Sequence, residues 1–84
     1  MRLYTIIDDI SGKKVAPYTE LDDDATAKRA YAFALSTKTG PLNLVAFRPI
    51  DFRLVCVGVA EIDGNIKAYD QAVSVCRMSD LTED

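Results

Sequence analysis

The sequence predicts an α+β fold: an antiparallel sheet of three to five strands with one amphipathic helix packed on a face. Three observations carry this. Runs rich in β-branched and aromatic residues lie on either side of the chain's middle. Between them an alanine-rich segment has helical apolar spacing behind a cluster of aspartates. Asp63-Gly64-Asn65 then joins two apolar runs in the manner of a hairpin. One amphipathic helix must bury its stripe, and a sheet face beneath it is the two-layer solution.

The 84 residues (1–84) suit a single domain. A domain of this size buries only about 60–65% of the surface of its unfolded chain, so the core is modest. The first element is "RLYTIID", Arg2 to Asp8. Leu3, Thr5 and Ile7 alternate with Tyr4 and Ile6, which favours a strand. Ser11-Gly12-Lys13-Lys14 supplies a turn. Val15 to Leu21 is expected to return as a second strand, at an edge, because Pro17 has no N–H for a ladder.

"LDDDATAKRAYAFALSTKTGP" is the helix. Asp22 or Asp23 can cap its N-terminus, where carboxylates also meet the positive end of the helix dipole. Ala27, Ala30, Tyr31, Ala34 and Leu35 form one apolar stripe. Gly40 and Pro41 close the element. Leu42 to Pro49 reads as a loop anchored by Phe47. In the next run, Phe52, Leu54, Cys56, Gly58, Ala60 and Ile62 alternate with Arg53, Val55, Val57, Val59 and Glu61. Both sides are apolar at the centre, so this is an interior strand. Its small residues Cys56, Gly58 and Ala60 are expected to accommodate the helix. "IKAY" returns as the next strand, "QAVSVCRMSDLTED" leans to strand, and Thr82 to Asp84 are expected to fray.

Composition excludes much chemistry. There is no histidine, which removes Ser-His-Asp and Cys-His nucleophile systems and His-dependent zinc sites. Cys56 and Cys76 are too few for a disulfide framework and are expected to be free thiols in a reducing cytosol. Cys56 sits in a Val-rich run with no adjacent cation, so it reads as packing. Cys76 stands beside Arg77, which would favour a thiolate only if the pair were exposed. Asp8-Asp9 and Asp22-Asp23-Asp24 are the carboxylate groups that could hold Mg²⁺, but capping alone explains the triplet. No phosphate-cradling glycine loop occurs, and no catalytic residue, metal or cofactor is expected. No apolar run approaches the roughly 20 residues that span a bilayer, and the first residues lack signal-peptide character. A cytoplasmic protein with no membrane partner is therefore expected.

The net charge of −3 is not that of a strong nucleic-acid binder. Any phosphate contact needs the cations to gather. Those that occur in pairs or flank a loop are Lys13, Lys14, Lys28, Arg29, Arg48 and Arg53, with Phe47 or Tyr18 available to stack on an unpaired base.

The opening "MRLYTIIDDISG", the "DDDATAKRAYAFAL" helix and "DFRLVCVGVAEIDGNIKAYD" with its short tail together resemble the small nonstructural proteins of gokushovirus-type microviruses, which are single-stranded DNA phages. The resemblance covers nearly the whole chain as an order of elements, and it supplies no catalytic motif. It implies a nonstructural, DNA-binding role in viral DNA replication, in the switch to single-strand synthesis and in packaging, in the host cytoplasm. The implied partners are single-stranded DNA and viral or host replication proteins. Two other readings stand beside it. One is a host-directed or self-associating module pairing through the Val15–Leu21 edge. The other is a small metal-dependent enzyme using the aspartates.

Overall fold

The computed structural model describes residues 1–38, 40 and 42–82. Four strands, β1 (Arg2–Asp8), β2 (Thr19–Leu21), β3 (Phe52–Ala60) and β4 (Ile66–Arg77), form one antiparallel sheet in the order β2-β1-β3-β4. Helices α1 (Asp24–Thr37) and α2 (Leu42–Phe47) cross from β2 to β3, and 3₁₀ turns occupy Pro49–Asp51 and Met78–Leu81. The α+β architecture is the one the sequence predicts.

The core lies between the helices and one face of the sheet. Pairing sets Tyr4 opposite Cys56 and Ile6 opposite Leu54. These side chains, with Phe52, are buried against Ala27, Tyr31 and Leu35 of α1 and Leu42 and Val45 of α2. Met78 closes the end of this cluster. Each fully buried Leu or Ile here contributes about 1.5–3 kcal/mol from its removal from water.

Helix α1 starts where the aspartates are. Asp23 is the N-cap: its extended backbone (φ −155°) lets Oδ1 accept the Thr26 N–H at 2.8 Å. The helix ends at Lys38, which adopts a left-handed conformation (φ 54°) and donates its N–H to the Leu35 carbonyl. The helix thus stops just ahead of Gly40, and Pro41, also expected to close it, lies outside the described residues.

Several sequence expectations are corrected. Ala30 is exposed, so the buried stripe is the narrower set Ala27, Tyr31 and Leu35. Leu42 to Phe47 is helical rather than a loop; Leu42 and Val45 anchor it, and Phe47 is 79% exposed. The second strand is only Thr19–Leu21, preceded by a single bridge between Ile7 and Lys14. "IKAY" and "QAVSVCR" are one long strand, β4, and Met78–Leu81 turns away as 3₁₀ helix. Of the residues expected to fray, Glu83 and Asp84 lie outside the described residues.

The alternation expected along β3 breaks at Val57. Leu3 pairs with Gly58 and Tyr4 with Cys56, so Val57 is extra on the β1 side. On the β4 side Gly58 pairs with Ala68 and Cys56 with Val73, so Tyr69 to Ala72 lie opposite Val57 alone. Two irregularities therefore meet at one residue. Such bulges bend a strand and re-aim its side chains. Gly58 sits beside them. A Cβ there would lie 2.5 Å from the Lys67 carbonyl oxygen, so its small size serves the close approach of β4 rather than of the helix.

Candidate nucleic-acid interface

The cations divide by residue type. Arg53 Nε donates to Asp9 Oδ1 at 2.6 Å, and Arg77 Nη1 donates to Asp9 Oδ2 at 2.9 Å and to the Ile50 carbonyl at 2.8 Å. Asp9 thereby ties the end of β1 to the start of β3 and the end of β4. The Arg53 hydrogen bond, then that of Arg77, holds the Asp9 carboxyl below the usual carboxylate range. Arg48 pairs with Asp51 at 3.5 Å. Arg2 Nε donates to Tyr4 Oη, whose O–H donates to Asp24 Oδ1 at 2.6 Å. Burial and the Asp24 hydrogen bond push the Tyr4 hydroxyl well above its ordinary value.

Among the described residues, no lysine has a carboxylate within ion-pair distance. The same holds for Arg29. A guanidinium suits a fixed planar partner, whereas an ammonium on a flexible stem is a mobile point charge. Here the arginines mostly fasten the fold, and the lysines face solution.

The six cations singled out in the sequence accordingly separate. Arg53 is committed to Asp9 and Arg48 to Asp51. Lys28 and Arg29 are exposed on α1, in the helical layer. Lys13 and Lys14 lie in the connection between β1 and β2. Lys14 places its ammonium 4.3 Å from the centroid of the Tyr18 ring, a cation–π contact. Tyr18, itself 58% exposed, lines the side of the sheet that α1 does not cover. The structure thus joins Lys14 to Tyr18 and keeps this pair in a different layer from Lys28 and Arg29.

The surface under Tyr18 is a groove of ≈ 360 Å³, lined also by Leu3, Val57, Ile66, Ala68 and Tyr69. Its size is within the range of small-ligand clefts. It lies where the pairing around Val57 is irregular: Tyr69 and Ala72, from the stretch opposite Val57, line it with Leu3 and Val57. Sequence reasoning reached Tyr18 but not Tyr69. The only signal was its place in a run whose alternation fails, and a failed alternation does not say where the side chain goes. A second cleft, ≈ 480 Å³, lies between the helices and the last turn, with Phe33, Leu35, Ala46, Leu81 and Lys38 among its lining.

The remaining candidates are occupied in other ways. Cys56 is buried, its Sγ 3.5 Å from the Gly58 carbonyl oxygen. Burial pushes the Cys76 thiol up, and the neighbouring Arg77 is held by Asp9 instead of assisting a thiolate. Among the described residues no group of three or more Cys, Asp or Glu is placed to hold a metal ion. No described helix is long and apolar enough to cross a membrane. Compared with protein-family models, curated proteins and solved structures, the chain finds no match in any of the three.

Proposed function

We propose that this chain is a non-enzymatic phage nonstructural protein of the host cytoplasm. It acts in viral DNA replication, in the switch to single-strand synthesis and in packaging, by direct contact with single-stranded DNA. The observation that carries the reading is the pairing of unneutralised Lys14 with the exposed Tyr18 ring, next to Lys13, on the uncovered side of the sheet. Binding of single strands without sequence reading needs this combination: cations for phosphates and aromatic faces for unstacked bases. The resemblance in element order to gokushovirus nonstructural proteins supplies the biological setting. Of the six cations singled out, Lys13, Lys14, Lys28 and Arg29 are free of carboxylate partners, while Arg48 and Arg53 contribute less because carboxylates already neutralise them. Affinity is modest, since phosphate neutralisation supplies most non-specific binding and the chain carries a net −3.

The test is fluorescence anisotropy with a labelled single-stranded oligonucleotide at two salt concentrations, with an unlabelled duplex as competitor. Wild type is expected to bind with a dissociation constant of about micromolar or weaker and to lose affinity as salt rises. Lys13→Glu/Lys14→Glu is expected to weaken binding further, and duplex to compete poorly. No binding at low salt would remove direct contact and leave a role through viral or host replication proteins.

One observation favours a second reading, self-association without nucleic acid. β4 is a long outer strand with Ile66 and Val73 exposed, and outer strands of this kind recruit partners. This edge lies on the opposite side of the sheet from β2, the edge singled out in the sequence. A concentration-dependent dimer by light scattering, with no oligonucleotide binding, is the outcome that selects this reading.

A further inference from the structure

The groove between Tyr18 and Tyr69 points to a more specific arrangement, which rests on the single-strand reading above. We infer that this groove is a seat for unpaired nucleobases. Tyr18 and Tyr69 are its stacking walls, and the strand's phosphates run along the Lys13–Lys14 end.

Three features converge on this occupant. The first is shape. Tyr18 and Tyr69, 58% and 36% exposed, line the groove together with the apolar Leu3, Val57 and Ala68. Exposed aromatic rings on an apolar surface suit a flat ligand, and every base has a π-face that stacks without sequence preference. The second is charge. Lys14 lies over Tyr18 with Lys13 next to it, Lys67 stands between the lining residues Ile66 and Ala68, and none of the three has a carboxylate within ion-pair distance; Glu20, opposite Leu3, is the acidic neighbour. A ligand with an anionic edge and an uncharged planar part can meet Lys14 and the Tyr18 ring together. A nucleotide in a single strand has that chemistry; a wholly apolar peptide gains nothing from the lysines. The third is construction. The groove lies where two pairing irregularities meet at Val57, and they use ladder hydrogen bonds that a regular strand would keep. Bulges are over-represented beside functional sites because they turn side chains out of the regular pleat. Here Tyr69 lines the groove together with Leu3 and Val57.

The absence of tryptophan makes the experiment direct, because tyrosine emission is then the protein's own signal. Tyr4 and Tyr31 are buried, so Tyr18 and Tyr69 are the rings that an added oligonucleotide reaches. Oligothymidylate is titrated into wild type, Tyr18→Phe/Tyr69→Phe and Tyr18→Ala/Tyr69→Ala, with affinity read by anisotropy and stacking read by quenching of tyrosine emission. Wild type is expected to be quenched on binding. The Phe pair keeps its affinity but loses the quench, since phenylalanine stacks equally well. The Ala pair loses about tenfold to hundredfold in affinity. Its salt slope stays as in wild type, whereas Lys14→Ala lowers the slope by about one. Circular dichroism checks that the variants, changed at exposed positions, remain folded.

Equal affinity of the Ala pair and wild type would overturn the seat while leaving single-strand binding intact. Failure of wild type to bind any oligonucleotide would overturn both. If the Ala pair instead changes only the self-association measured by light scattering, the groove is a contact between copies of this chain and the inference is wrong.

Discussion

The helix-covered face and the open face of the sheet are built from the same strands and much the same residue types, yet they have opposite fates. On the covered face Tyr4, Ile6, Leu54 and Cys56 are sealed by α1 and α2. On the other face Thr5 and Val55 are equally buried, with the Thr5 hydroxyl donating to the Ala16 carbonyl at 2.7 Å. Further along, Leu3 and Val57 open into a groove and Ile66 and Tyr69 stay exposed. The residues themselves do not set the difference. One face is covered by α1 and α2, and the other carries a groove where the register shifts around Val57. Apolar character thus marks two things here, a core sealed by the helices and an open groove.

Substitutions can break this comparison in graded steps. The largest effect is expected for Ala27→Asp, which places an unpaired carboxylate under α1 where Ala27 is fully buried. It should cost about 3 kcal/mol or more, enough to unfold much of a domain whose total stability is about 5–10 kcal/mol. Ala30→Asp, one turn along but exposed, should move the urea midpoint little. Similar losses in the two variants would mean that α1 is rotated on the sheet.

Next is Leu54→Ala against Val57→Ala. Leu54 is fully buried on the covered face, and its truncation should cost about 2–5 kcal/mol. Val57 borders the groove and should cost under about 1 kcal/mol, because water already reaches it. A Val57 loss as large as that of Leu54 would show that the open face is covered in solution, as by a second copy.

Gly58→Ala tests the junction of the two regimes. The added methyl meets the Lys67 backbone at 2.5 Å and must push β4 away, at about 1–3 kcal/mol. Hydrogen exchange should quicken in Ile66 to Val73 and remain slow in β1. Uniform quickening across the sheet would mean that β4 is integral to the core instead of hanging from its edge.

The smallest effect is expected at Asp9, whose folded pKa is depressed by Arg53 and Arg77. A depressed carboxyl contributes stability above its unfolded pKa of about 4, and the contribution is lost as pH falls through the lower folded value. Asp9→Asn should therefore destabilise at neutral pH by under about 1 kcal/mol, since these partly exposed pairs are screened by solvent, and should flatten the loss of stability on acidification. An unchanged acid limb would show that the Asp9 ion pairs do not hold the strand ends in solution.

Much of the fold was legible. β1, the Asp23-capped helix, the Phe52-led strand and the Gly64 turn all lie where alternation, capping and turn chemistry put them. What escaped has physical reasons. Six residues of α2 are too few to display a helical period. The extra residues between Ala68 and Val73 destroyed the alternation that would have joined "IKAY" to "QAVSVCR". Lys14 and Tyr18 were each visible as candidates, but their contact depends on how the Pro17 segment lies against β1. Tyr69 was invisible as a site because its orientation depends on register, which is a property of pairs of strands and not of one.

The central seam of the sheet also sets how the molecule must fold. β1 meets β3 across about 45 residues of intervening chain, while α1 and the β3–β4 hairpin are local. Closing a loop of that length costs about 3 kcal/mol of chain entropy before any core contact offsets it. The hairpin and α1 are therefore expected to take shape before β1 docks, which φ-values near zero in β1 and higher in the hairpin would check. Until it docks, the Val-rich edge of β3 faces solvent, and that interval is when one chain is most exposed to pairing with another.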